Sequence, residues 1–107
     1  MVSSGGLKTQ PNYRIHIALS ILSIAAGLFL NISYIEWLVL ITMIVLGFVI
    51  ETLNTAIEQL GNAIDLDYNE HIKHAKDSSA GAMLLFSGGA VIVAAAIFIP
   101  KIIEILI

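Results

Sequence analysis

The sequence predicts an all-α integral membrane protein with three transmembrane helices, and three observations carry that expectation. The 107 residues are 58% hydrophobic and only 12% charged, against about 25% charged in a soluble domain, and the mean hydropathy is +0.93. Three largely apolar segments are each about 20 residues or longer, the length a spanning helix needs. Most of the charge falls outside the apolar runs, with eight of the thirteen Asp, Glu, Lys and Arg residues between Glu51 and Asp77. At this length the chain has room for one transmembrane domain, residues 1–107, with spans at about 15–34, 36–60 and 70–99, and no separate soluble domain. Cysteine is absent, which excludes a disulfide framework and a thiolate metal site. Five Lys and Arg against eight Asp and Glu give no basic footprint, so no nucleic-acid partner is expected.

The start of the chain, with Gly5, Gly6 and Pro11, reads as coil or a surface segment. Residues 1–9 are too short and polar to hold the apolar core of a signal peptide, so the spans are expected to be retained. From Ile15 to Leu30 only His16, Ser20 and Ser23 interrupt an apolar run, the first span. Lys8, Arg14 and His16 mark its start as the cytoplasmic end by the positive-inside rule. The turn Asn31–Glu36 has no Lys or Arg, and its Ser33-x-x-Glu36 spacing is a capping box that starts the second helix. Tyr34 and Trp37 suit an interfacial aromatic belt, or packing against a neighbouring helix. Asn31-Ile-Ser33 matches a glycosylation acceptor, but so short a turn is a poor substrate.

The second helix meets no Gly or Pro between Val49 and Leu60, so Gly61 and Asn62 are expected to stop it. Its apolar part, Trp37 to Ile50, spans about 21 Å at 1.5 Å per residue, short of the roughly 30 Å hydrocarbon core. That places Glu51 and Asn54 at the edge of the inner leaflet, with Glu51 turned to lipid, and Glu58 at headgroup level in water. At about 100° per residue Asn54 lies roughly 300° and Glu58 roughly 340° round from Glu51. With Thr55, Asn62 and Asp65 they form one polar stripe. In a soluble protein such a stripe would be a solvated face; at membrane depth a carboxylate is a functional candidate by default.

The polar segment from Gly61 to Asp77 faces the cytoplasm. Asn69 is placed to cap the third helix, where Glu70–His74 and Lys73–Asp77 are i,i+4 pairs. Lys73, His71 and His74 read as helix surface; Lys76 and Asp77 stand nearer the membrane. The apolar run from Ala80 to Ile99 is the third span. Its Gly81, Gly88 and Gly89 supply a small-residue face for close helix packing, and Pro100-Lys101 is expected to end it. The N-terminus is then cytoplasmic and the C-terminus outside.

Carboxylates at this density suit Mg²⁺, which takes one or two of them together with substrate phosphates, and a nearby lysine suits a phosphate as a point charge. A carboxylate at the bilayer edge suits a general base acting on an alcohol. Together they point to phosphoryl transfer to a lipid headgroup. No P-loop and no G-x-G-x-x-G occurs, so a P-loop enzyme or an ordinary protein kinase is excluded.

The run Glu51-Thr-Leu-Asn-Thr-Ala-Ile-Glu58, with Ala75-Lys-Asp77 after it and Asn12-Tyr-Arg-Ile-His16 before it, closely resembles the small prokaryotic diacylglycerol kinase and undecaprenol kinase family over residues 10–101. The resemblance implies a three-span homotrimer in the bacterial cytoplasmic (inner) membrane. It implies an enzyme using ATP and Mg²⁺ to phosphorylate a membrane lipid alcohol. By motif, Glu51 matches the catalytic base, Asn54 the amide beside it and Glu58 a metal ligand. Asp67, Tyr68, Asn69, Lys76 and Asp77 match nucleotide-binding positions. Arg14-Ile-His16, Glu36-Trp37 and Pro100-Lys101 resemble the gram-positive branch and favour undecaprenol over diacylglycerol. The chain departs from the pattern in three places: Gln10 stands at the second metal-binding Glu, Asn62 where an Asp is usual, and Gly61 within a normally continuous helix. Only nine residues precede Gln10, so the family's amphipathic surface helix is expected to be missing. A neutral amide in place of a carboxylate would weaken Mg²⁺ binding. Two alternatives stay open: a weak or silent family member acting as a structural subunit, and a small ion or proton pathway through Glu51.

Overall fold

The computed structural model describes residues 12–64 and 69–107. Among these residues the chain forms three helices, α1 (Asn12–Leu30), α2 (Tyr34–Ile64) and α3 (Glu70–Leu106). All three are long and apolar enough to cross a membrane. At 1.5 Å per residue, the 31 residues of α2 and 37 of α3 reach about 46 and 55 Å. Both overshoot a hydrocarbon core of about 30 Å, and the described chain is 59 Å long overall. Part of the excess lies at one pole, here called the polar end, where α1 begins, α2 finishes and α3 starts.

The turn between α1 and α2 is built from local chemistry. α1 stops at Leu30, short of the expected 34, because Asn31 adopts a left-handed conformation with φ 55°. The Ile32 amide then returns to the Gly27 carbonyl at 3.2 Å, the six-to-one bond of a Schellman motif. Gly27 leaves room for this closure: a Cβ there would lie 2.9 Å from the Trp37 ring and 3.0 Å from Ile32. Trp37 is therefore wedged against α1, whereas Tyr34 is 75% exposed in the manner of a belt residue. The capping box forms as expected, with the Ser33 amide donating to Glu36 at 2.9 Å and the Glu36 amide to Ser33 at 3.1 Å.

Two expected helix stops are not stops. α2 runs through Gly61 and Asn62 to Ile64. Gly61 is buried because Ile72 and Lys76 of α3 pack directly onto it, at 2.8 and 3.0 Å from where a Cβ would be; its small size serves helix contact. α3 likewise continues through Pro100 to Leu106. The tail Ile102–Ile107 is nearly all apolar, and in a membrane its amides have no water to bond, which favours continued helix. Lys101 reaches back to Glu36 at 3.5 Å, tying the end of α3 to the start of α2. At the other pole Asn69 caps α3, accepting from the amides of His71 and Ile72 at 2.9 and 3.2 Å. Lys73 bonds Asp77 at 2.8 Å, while Glu70–His74 is not among the ion pairs of the described residues.

α2 packs most extensively on α3, with α1 against both. The buried apolar core is small: Ile32, Leu40 and Ile97, with Leu30, Trp37, Ile44, Val93 and Phe98 packed around it. Large side chains such as Leu22, Phe29, Leu84, Leu85 and Ile92 stay exposed, as a lipid-facing surface requires. Gly81, Gly88 and Gly89 have nothing within 4 Å of a would-be Cβ, so the small-residue face of α3 is open in this single chain.

Candidate functional site

The polar stripe of α2 does not lie evenly in one environment. Glu51 is 2% exposed, Asn54, Thr55 and Glu58 are half-buried, and Asn62 is exposed. The expectation of a lipid-facing Glu51 is thereby corrected: its carboxylate is buried in protein, beside His16 of α1. A stripe on one helix says which residues share a face but not which neighbour covers them.

The covering residues are the ones that sequence reasoning missed. From α1, His16 places Nε2 3.6 Å from Glu51 Oε1. That oxygen is buried and accepts no hydrogen bond among the described residues. The imidazole is held by aromatic and backbone contacts: Phe48 lies 5.8 Å away, tilted 47°, and Gly47 leaves the gap in which His16 Nδ1 and Phe86 approach α2. One turn up α1, the Tyr13 hydroxyl bonds Thr52 Oγ1, which itself donates to the Phe48 carbonyl at 2.7 Å. From α3, the buried Ser79 hydroxyl donates to Asn54 Oδ1 at 2.7 Å. Each of the two residues expected to perform the chemistry is thus approached by a side chain from a different helix. The sequence signal was available for His16, an isolated imidazole in an apolar run, but its partner on α2 could not be read from spacing.

Farther along, Lys76 lays its stem across Gly61 and donates from Nζ to Asn62 Oδ1 at 2.5 Å. Lys76 and Asn62 are thereby brought together, while Asp77 turns to Lys73. Asn69 Oδ1 is occupied by the α3 cap. Gln10, Asp65, Asp67 and Tyr68, and with them the expected second metal position, the surface-helix expectation and part of the nucleotide site, lie outside the described residues.

Among the described residues no group of three or more His, Asp and Glu side chains could hold a metal. Glu58 is half-buried and engaged in no ion pair or hydrogen bond among them. One unengaged carboxylate fits a Mg²⁺ that brings phosphate and water as its other ligands, the usual habit of that ion. Past His16, toward the Glu36 end, a mainly apolar cavity of about 280 Å³ opens between the three helices, lined by Leu40, Met43, Phe86 and Val93 among others.

Comparison with known proteins shows the family of the chain. The family model described as prokaryotic diacylglycerol kinase matches residues 4–98. An undecaprenol kinase of Bacillus subtilis is 34% identical over 94 residues, covering 88% of this chain and 76% of the relative. A diacylglycerol kinase of Synechocystis is 35% identical over 100 residues, covering 92% of this chain and only 57% of the relative's length. No solved structure matches. With a buried carboxylate at the centre of a three-helix membrane bundle and a family match over nearly its whole length, the chain belongs to the prokaryotic diacylglycerol kinase family, and with it to the lipid kinases.

Proposed function

We propose that the chain transfers the γ-phosphoryl group of ATP to the hydroxyl of a membrane lipid alcohol, undecaprenol or diacylglycerol, at the cytoplasmic membrane face. The observation that carries this reading is Glu51: a carboxylate 2% exposed with an oxygen that accepts no hydrogen bond among the described residues, in a lipid kinase family. An unsatisfied buried carboxylate costs stability, and such a cost is sustained where the group has work to do. Glu51 accepts the proton of the lipid hydroxyl, and that oxygen attacks the γ-phosphorus as the bond to the nucleotide breaks. Asn54 stands one turn away with its carbonyl oxygen engaged by Ser79, which leaves its amide hydrogens to donate.

Lys76 supplies a point charge for a phosphate. Asp67, Tyr68, Asn69 and Asp77 contribute to the nucleotide site. Glu58 would hold Mg²⁺ with the neutral Gln10 as a weaker partner, and the ion would neutralise phosphate charge. Undecaprenol is the preferred acceptor: the motifs resemble the gram-positive branch, and the chain spans more of the undecaprenol kinase than of the diacylglycerol kinase. The open glycine face of α3 and the small core support assembly as a homotrimer in the bacterial inner membrane, N-terminus cytoplasmic. An ion pathway is less well supported, because no charged residue lies between Trp37 and Ile50. The test is transfer of labelled phosphate from ATP to each lipid in detergent micelles. Product with undecaprenol is expected; no product with either, from folded protein, refutes the reading.

A further inference from the structure

We infer that His16 is the proton acceptor behind Glu51, a positioning residue that holds the base and carries its proton away. The inference rests on the lipid kinase reading, but its geometry is independent of which lipid is used. A base 2% exposed that takes a proton in each turnover must release it before the next, and water has little access to it. The buried oxygen Oε1 meets His16 Nε2 at 3.6 Å, slightly longer than a hydrogen bond and closed by a small rotation of either side chain. His16 itself is 16% exposed at its side chain and borders the inter-helix cavity, so it touches both the enclosed base and a more open space.

The steps balance. The lipid O–H bond breaks and an O–H forms on Glu51 as the lipid oxygen attacks phosphorus. The proton then passes from Oε1 to Nε2, so that Glu51 is again a carboxylate and His16 an imidazolium. The imidazolium then loses one proton to water and returns to the Nδ1–H tautomer, which leaves Nε2 free to accept in the next turnover. Imidazole suits this role because its two nitrogens can accept on one side and release on the other. The packing restricts the ring to the required orientation. Phe48 lies 5.8 Å away on α2, and Gly47 admits Nδ1 beside Phe86 of α3. Among the described residues Glu51 is the one charged group paired with His16.

The experiment uses the full chain in micelles with ATP, Mg²⁺ and lipid, comparing wild type, His16→Ala and His16→Gln. His16→Ala is expected to lower kcat by tenfold or more, toward the ~10² that marks the low end of proton-transfer catalysis. KM for ATP and lipid should stay within about twofold of wild type, and added imidazole should restore much of the rate. His16→Gln fills the space and can donate a hydrogen bond but cannot relay a proton, so it is expected to remain slow. Full activity in His16→Gln, or loss without imidazole rescue in a folded His16→Ala, would overturn the relay. A second measurement does not depend on turnover: the ¹⁵N resonance of His16 Nε2 in wild type against Glu51→Gln. A shift is expected where the two groups share a proton, and an unchanged resonance refutes the pairing. Wild type that transfers phosphate to no lipid would overturn the kinase reading, while the resonance would still judge the pair.

Discussion

Gly61→Ala adds one methyl group at the closest approach of α2 to α3. The new Cβ would lie 2.8 Å from Ile72 Cγ2 and 3.0 Å from Lys76 Cε. The lysine stem can swing away, but the Ile72 methyl sits on a β-branched carbon that a helix holds in one rotamer. The clash must then be relieved by the helices moving apart. Overpacking of this kind costs about 1–3 kcal/mol, against a gain of roughly 0.5–1 kcal/mol from replacing glycine inside a helix. A net loss of up to about 2.5 kcal/mol is expected from these two ranges. Separation of the helices also draws Lys76 from Asn62, so the KM for ATP should rise while KM for lipid changes little.

Resistance to unfolding by SDS in mixed micelles measures the first effect and steady-state kinetics the second. Gly61→Ala/Ile72→Ala removes the offending methyl and supplies the control. If the clash is the cause, the double variant is more stable than the sum of the singles by about 1–3 kcal/mol. Additive singles, or a Gly61→Ala protein more stable than wild type with unchanged KM for ATP, would refute the reasoning.

Three further outcomes follow from the same contacts. Gly27→Ala would set a Cβ 2.9 Å from the rigid Trp37 ring and should destabilise the α1–α2 turn by about 1–3 kcal/mol, read by the same SDS titration and by a shift in Trp37 fluorescence. Asn31→Ala must adopt φ 55° without the polar side chain that tolerates it, at about 1–2 kcal/mol, whereas Asn31→Gly should match or exceed wild type. Ser79→Ala removes the donor to Asn54 Oδ1 and should lower kcat several-fold with stability within about 1 kcal/mol, as for a single hydrogen bond; Ser79→Thr, which keeps the hydroxyl, should retain more activity.

What could be read from the sequence was whatever is decided within one helix or one turn. The Ser33–Glu36 box, the Asn69 cap and the Lys73–Asp77 pair depend on neighbours two to four residues apart, and each forms as expected. The three spans were legible because apolar length is a local property. Gly61 and Pro100 misled for a shared reason: both are weak helix formers whose local tendency is overridden by their surroundings, close packing of Ile72 in one case and an apolar environment in the other. The site shows the same division. Spacing grouped Glu51, Asn54 and Glu58 on one face, but the partners that complete it, His16 and Ser79, are 35 and 25 positions away from Glu51 and Asn54 on other helices. Nothing in the sequence pattern of α2 distinguishes a face turned to lipid from one turned to a histidine.

Glu51 is the residue on which the functional account depends most heavily. Glu51→Gln keeps the shape of the side chain and removes its capacity to take a proton, so transfer of labelled phosphate from ATP to undecaprenol by this variant, beside wild type in the same micelles, is the most direct measurement. Product is expected with wild type, and a rate lower by about 10² or more with Glu51→Gln, from protein equally resistant to SDS. A Glu51→Gln protein that phosphorylates the lipid at the wild-type rate would contradict it.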